Sequence, residues 1–416
     1  MNRVFHRAAL LPLALAALFS SVSLQADTAE QSSYRISEPR LQMLGGAMQA
    51  QVAEQKLAGI STLVWQDGEV IHRQNAGFQN VESQTPLADD TIYKIFSLTK
   101  PITGTALLML FEEGKFNLDD PVGNYLPEMR DLRVELPGFP DKALETEPVN
   151  HPITIRELMT HTAGFSYGRF SQSYTDSLYV SEDIQNIDTT LADMMTKLSR
   201  IPLRQQPGTQ WHYSISVDVQ ARLVEVLSGM AFDEFLQQRI FTPLGMVDTG
   251  FYVPESKQDR FALSYTPSES GLQPFPNEGW LSKPTFLNGG GGLVSTMDDY
   301  LRFARMLLNE GELDGVRLLK PETVRMMRSD QLPEGVDGPN WAPGNTFGLN
   351  VAVVNDSVAA EHLPVDTYWW WGIHGPWMWV DPTNQIITLG MMQNTDYRHS
   401  RVVHGTVSHI LYRPAP

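Results

Sequence analysis

The sequence predicts a mixed α/β (α+β) fold: an antiparallel β-sheet flanked by helices and built from both chain ends, with a mainly helical region inserted between them. Two observations carry this. Strand-like segments cluster towards the two ends of the chain, and the stretch between them repeats apolar residues at the i, i+3, i+4 spacing of amphipathic helices. A chain of 416 residues, 42% hydrophobic and 19% charged, is long enough to bury a large core and is ordinary in its globular composition.

Taken in order, "EPRLQMLGGAMQAQVAEQKL" has helical spacing. "ISTLVWQDGEVIHRQNAGF" reads as two strands around Asp67-Gly68, because glycine accepts the positive φ that a tight hairpin turn demands. Helical patterns follow in "ALLMLFEEGK", "TIRELMTHTAG", "DVQARLVEVLSGMAFDEFLQQRIF" and "STMDDYLRFARMLLNEG". Strand-like runs return in "FGLNVAVV", "PWMWVDP" and "QIITLGMMQ", and "RHSRVVHGTVSHILY" reads as a closing helix. No internal repeat or low-complexity linker interrupts the chain.

The formal net charge of −17, with no basic runs, argues against nucleic-acid or anionic membrane partners. The N-terminus reads as an export signal of residues 1–26. "MNRVFHR" supplies Arg3 and Arg7, "AALLPLALAALF" is an apolar run too short to span a bilayer comfortably, and Ala26 is the candidate last residue, although Leu24 is larger than the small residue usual there. With no cysteine in the chain, neither a disulfide framework nor a lipid-attachment thiol exists. These features fit a bacterial periplasmic or secreted protein that has no stable membrane insertion once the signal is removed.

The chemistry begins in "KIFSLTKPITGTALLML". Ser97 and Lys100 stand three residues apart on the first turn of a helix and so share a face. A serine hydroxyl needs a base within hydrogen-bond reach, and a lysine serves as one when burial or nearby positive charge lowers its pKa from about 10.4. The apolar neighbours permit burial, and Lys94 offers like charge. A helix cap beside a solvated lysine is the plain reading of such a pair taken alone. "QWHYSISVDVQARLVEVLSG" adds Tyr213 just ahead of a helix, where a phenol can shuttle a proton for a Ser-Lys pair. "WWWGIHGPWMWVDP" adds a glycine-bearing strand edge whose backbone N–H can join that of Ser97 in an oxyanion hole.

In this order these residues resemble the serine β-lactamase and penicillin-recognising hydrolase superfamily, in particular its class C β-lactamase-like branch and the family VIII carboxylesterases. The likeness covers most of the mature chain through "FSLTKPITG", "DDPVGNYLPEM", "ITIRELMTHTAGF", "PGTQWHYSISVDVQARLVEVLSG", "IFTPLGMVDTGF", "NGGGGLVSTMDDYLRFARMLLNEGEL" and "WMWVDP". It implies a β-lactamase/transpeptidase-like domain over 27–416. Its α/β part would span about 34–105 and 290–416 and its helical part about 106–289, with the active site between them. It makes Ser97 the acylated nucleophile, Lys100 its base partner and Tyr213 the second proton carrier.

The departures from the pattern bear on substrate. The family's Tyr-x-Asn is Tyr213-Ser214-Ile215 here, so the amide-reading side chain is missing at Ile215. For the third motif, usually Lys-Thr-Gly or His-Thr-Gly, two registers fit. Trp370-Trp371-Gly372 resembles the Trp-Gly-Gly of the esterases and makes the Ile373 amide the second oxyanion donor. His374-Gly375-Pro376 resembles a disturbed His-Thr-Gly and makes the Trp377 amide the donor. The first is preferred, because it leaves the donor less constrained by Pro376. Trp371, Gly372, His374 and Ile215 are the candidate substrate-binding residues, His374 being the nearest substitute for a carboxylate-gripping cation.

Other features have plainer readings. "NGGGG" lacks the Gly-Lys-Ser/Thr of a phosphate loop and reads as close backbone approach beside the cleft. His161 and His212 read as packed rings. The histidines show no metal-ligand spacing, so no metal or other cofactor is expected. The tryptophans of Trp369–Trp371, with Trp377 and Trp379, should alternate between core and cleft and favour an apolar acyl or alcohol group. The expected activity is ester hydrolysis, with short- or medium-chain esters ahead of β-lactam or D-alanyl peptide substrates. A non-catalytic binding protein of the same fold is the reading of a different class.

Overall fold

Asp67 and Gly68 both adopt positive φ, 49° and 101°, and turn β1 (Gly59–Gln66) back into β2 (Glu69–Asn80) as the sequence demands. The computed structural model describes residues 34–414 and Met1, so the expected export signal lies outside the described residues apart from its first methionine. β1 and β2 belong to an eight-stranded antiparallel sheet with β3 (Thr85–Pro86), β4 (Asn345–Phe347), β5 (Ala352–Val354), β6 (Tyr368–Trp371), β7 (Trp377–Asp381) and β8 (Ile386–Met392). The strand order is β4-β5-β6-β7-β8-β1-β2-β3. β8 therefore joins the two ends of the chain, pairing with β1 from Ile60–Met392 to Gln66–Ile386. The predicted sheet built from both termini is the observed one.

All seven residues of β8 are buried, so helices cover the sheet on both faces. Helix α1 (Glu38–Ala53) lies against β1, β2 and the closing helix. Central α2 (Thr99–Glu112) is buried from Thr99 to Leu110, which is why its sequence is apolar all round rather than striped. Short α3 (Ile155–Met159) starts on a capping box between Thr154 and Glu157. It ends sooner than the pattern suggests, and His161, two residues beyond, takes a φ of 58°. α4 (Ser216–Ser228) packs on α2 and stops at Gly229, whose left-handed conformation caps it. α5 (Met297–Leu308) packs on β7 and β8, and α6 (Tyr397–Tyr412) closes the chain.

Two details differ from the sequence reading. The α2 helix runs unbroken through the expected boundary at 105, so the helical part is not set off from the α/β part there. The stretch assigned to the helical part also ends in a β-hairpin, Ser264–Ser268 with Gly271–Phe275, tied to the end of β8 through the backbone of Tyr265 and Gln393. Among the described residues no helix is long and apolar enough to cross a membrane.

Candidate active site

Ser97 sits in a 3-10 turn, Phe96–Leu98, that leads into α2. Phe96 before it has a φ of 45°, a strained conformation for an aromatic residue. The turn leaves Ser97 half-buried while Lys100, one helical turn on, is wholly buried. The Lys100 ammonium donates to Ser97 Oγ at 3.2 Å, to Tyr167 Oη at 2.8 Å and to the Gly290 carbonyl at 2.6 Å. Tyr213 donates its hydroxyl to Ser97 Oγ at 2.8 Å, and Lys100 Nζ stands 4.7 Å from the Tyr213 ring centre. The three residues singled out by sequence thus converge within hydrogen-bond reach. Lys94 does not join them: its buried ammonium is bound to Asn277, and burial lowers it to about 8.

The structure adds partners that the sequence reading missed. Tyr167, in "SYGRF" just beyond the helical motif ending at Phe165, packs against Tyr213 at 5.1 Å, and desolvation pushes its phenol well above the ordinary value. Asp218, on the first turn of α4, is wholly buried. It accepts the Gly290 N–H at 3.1 Å and the Gln185 amide at 3.2 Å. Burial pushes its carboxyl up to about 6, against the pull of the Lys100 charge. Gly290 explains "NGGGG": a Cβ there would stand 3.0 Å from Tyr167 Oη, 3.3 Å from Asp218 and 3.4 Å from Lys100 Nζ. The signal for Tyr167 and Asp218 was their closeness to motifs already noted, but no spacing rule marks them as facing Lys100.

His161 and His212 are packed rings, as read from the sequence. His161 accepts or donates at Nδ1 to Ser214 Oγ, 3.2 Å away, and its ring lies 5.0 Å from that of Tyr213. Burial, aided by the Lys100 charge, holds it well below its ordinary value, so it is neutral. His212 is lowered to about 4, chiefly by burial.

The opposite wall is the β6–β7 edge. Gly372 is required there, since a Cβ would meet the Ile95 carbonyl at 2.4 Å. The predicted alternation sends Trp370 against Tyr213, 5.5 Å between ring centres, and Trp371 against His404 at 5.6 Å. Trp211, which the sequence reading passed over, stacks on Tyr213 at 6.1 Å, and Trp341 bridges to Trp211, Trp370 and Trp371. In the turn, among the described residues, neither the Ile373 nor the His374 N–H has a protein acceptor. Gly372 N–H bonds Pro376 O, so the neighbouring Trp371–Trp377 pair faces away from itself and the Trp377 N–H is directed to β8 inside the sheet. That geometry removes the register that needs Trp377 as an oxyanion donor.

Two substrate-binding expectations need correction. Ile215 has no exposed surface and sits in the core at the start of α4, so it lines no cleft. His374 is nearly buried, shares a hydrogen bond of 2.9 Å with Ser264 Oγ, and lies 4.2 Å from the Phe96 ring. Burial, followed by the charge of Lys94, lowers it to about 3. A neutral imidazole held this way supplies no cation for a substrate carboxylate.

With the geometry established, comparison with known proteins places it. Residues 44–410 match the family model described as Beta-lactamase. Esterase EstB of Burkholderia gladioli is 32% identical over 372 residues, covering 83% of this chain and 88% of the esterase. Lovastatin esterase of Penicillium rubens is 30% identical over 336 residues, covering 75% and 82%. Among solved structures, EstCE1, described as a hydrolase with promiscuous acyltransferase activity, superposes with a TM-score of 0.76 at 25% identity, covering 90% of this chain and 98% of its own.

Proposed function

From a chain that belongs to the Beta-lactamase family, we propose an exported serine hydrolase that cleaves short- to medium-chain carboxylic esters through an acyl-enzyme on Ser97. The observation that carries this is the meeting of Lys100 Nζ and Tyr213 Oη on the same Ser97 oxygen, at 3.2 and 2.8 Å. The reacting state of the Tyr213–Lys100 pair holds one proton fewer than an ammonium plus a phenol: as Oγ bonds the ester carbonyl carbon, its proton fills that place, and the pair then gives a proton to the departing alkoxide. Water loses a proton to the same pair, attacks the acyl-serine, and releases the acid as Ser97 is reprotonated. The Ser97 amide and the unpaired Ile373 amide hold the oxyanion.

Support for esters over lactams and peptides comes from the other wall. The position that reads an amide is the buried Ile215, and the place of the carboxylate-binding cation falls to a neutral His374. Two relatives named as esterases, EstB and lovastatin esterase, agree with that ranking. A second reading, acyl transfer to an alcohol, draws on EstCE1 and on the acyltransferase calJ of Penicillium decumbens, 28% identical over 340 residues. The part-exposed indoles of Trp211, which stacks on Tyr213, and of Trp341 next to it offer an apolar alcohol a place that competes with water. Periplasmic or secreted location rests on the Arg3, Arg7 and apolar pattern of residues 1–26, and N-terminal sequencing of the mature protein from fractionated cells tests it.

The test of the function is intact-mass spectrometry after mixing with a slowly turned-over ester. The expected result is one added acyl mass located on Ser97 and absent from Ser97→Ala. An unmodified wild-type enzyme that still consumes ester would contradict it.

A further inference from the structure

The Lys100 ammonium spends one donor on a backbone carbonyl, and that carbonyl is itself held in place. Gly290 O accepts from Lys100 at 2.6 Å while Gly290 N–H donates to Asp218 Oδ1 at 3.1 Å. Asp218 comes from α4, five residues after Tyr213, and Gln185 fixes its second oxygen at 3.2 Å. A Cβ added at Gly290 would sit within 3.4 Å of Asp218, Lys100 and Tyr167 alike, so these groups close around one glycine. A wholly buried carboxylate is costly unless it faces charge and donors. Here the backbone N–H and the nearby lysine supply both.

We propose that Asp218 is the positioning residue of the site: it pins the Gly290 peptide that holds Lys100 against Ser97, and it balances the lysine charge during proton transfer. The inference rests on the acyl-enzyme reading above. It assigns a working role to a residue that touches neither Ser97 nor, in the steps described, the substrate.

The pH behaviour follows from every group facing the lysine. Tyr167 and Tyr213 approach from the loops before α4, His161 and the His212 beside it are neutral, Arg169 acts on Tyr167 from the exposed rim, and among the described residues Asp218 is the one carboxylate acting on this cluster. Burial sets Asp218 at about 6. Below that pH it becomes a neutral acid and Lys100 loses its counter-charge, so kcat falls as pH falls through about 6 and is restored above it.

The experiment measures kcat and KM for para-nitrophenyl butyrate from pH 5 to 9 in wild type, Asp218→Asn, Asp218→Ala and Ser97→Ala. Asparagine keeps the size and the Oδ1 acceptor for Gly290 N–H while removing the charge, and its amide NH2 can still pair with Gln185 once that side-chain amide turns over, so it decides the matter even where alanine prevents folding. The expected result is a kcat lowered roughly tenfold in Asp218→Asn and roughly a hundredfold in Asp218→Ala, with KM held within about twofold. The acid limb near pH 6 is present in wild type and absent from Asp218→Asn. A wild-type profile without that limb, a limb that persists in Asp218→Asn, or a loss confined to KM would overturn the proposal. Turnover that survives in Ser97→Ala would instead overturn the acyl-enzyme reading on which it rests.

Discussion

The two walls of the cleft are built on different principles. The wall of α2, α4 and the Gly290 loop is polar and closely wired: Ser97, Lys100, Tyr167, Tyr213, Asp218 and Gly290 are joined by hydrogen bonds of 2.6 to 3.2 Å. The β6–β7 wall is apolar and neutral, with Trp370, a glycine that tolerates no side chain, and a histidine that burial keeps uncharged. Proton transfer needs fixed groups at short range, and the first wall supplies them. Reading an amide or a carboxylate needs an exposed donor or a cation on the second, and the residues expected to do so are buried or neutral. In the function proposed above, the first wall carries the proton transfers and the second favours esters over peptide-like substrates.

Variants of the polar wall should have the largest effects. Ser97→Ala should lower ester kcat by roughly a thousandfold or more. Tyr213→Phe should lower it by roughly a hundredfold or more, with KM little changed, since the hydroxyl acts in proton transfer rather than in binding. Steady-state kinetics check both. On the second wall, Gly372→Ala should be next in size. Its methyl group meets the Ile95 carbonyl, so the Phe96–Ser97 turn or the strand edge must shift. A displacement of about 1 Å costs up to a hundredfold in rate.

Ile215→Asn tests whether the missing amide reader can simply be put back. Because Ile215 is wholly buried, the expected outcome is a loss of stability of about 2–4 kcal/mol, read by denaturant titration, with no gain in lactam turnover. A gain in nitrocefin hydrolysis would show that this position does reach the substrate. The smallest effect concerns pH and stability. His212, His374 and His404, lowered to about 4, 3 and 4, stay neutral in the folded protein. As pH falls below about 6.5 the unfolded chain takes up protons that these sites refuse, so stability decreases towards pH 4. Asp218, raised to about 6, works in the opposite sense over part of that range. His161, held well below its ordinary value by burial, adds to the three histidines, while Asp299 and Asp381, raised by burial, add to Asp218; the histidine side is the larger, and thermal melts at pH 7.5 and 5 should show the lower Tm at pH 5.

What the sequence made legible follows from what leaves a local pattern. Asp67-Gly68 announces its turn, the apolar run of β8 announces a strand covered on both faces, and Ser97, Lys100 and Tyr213 lie in motifs with fixed spacing. Tyr167 and Asp218 meet Lys100 only because separate loops and helices fold around Gly290, and no spacing in the chain records that. The errors have the same origin. His374 and Ile215 lie in stretches expected to face the substrate, but burial, a tertiary property, takes both out of that role. The choice between Ile373 and Trp377 likewise depends on which way a strand's amides point, and the Gly372–Pro376 hydrogen bond, which turns the Trp377 N–H into the sheet, exists only in three dimensions.

The most direct test of the contrast between the walls is a paired turnover assay, with para-nitrophenyl butyrate and nitrocefin run side by side on the mature protein and on Ser97→Ala. The account predicts fast ester cleavage that disappears in the variant, together with slow or absent nitrocefin turnover. Nitrocefin hydrolysis at a rate matching that of the ester would contradict it, because the β6–β7 wall would then be gripping the lactam despite a neutral His374 and a buried Ile215.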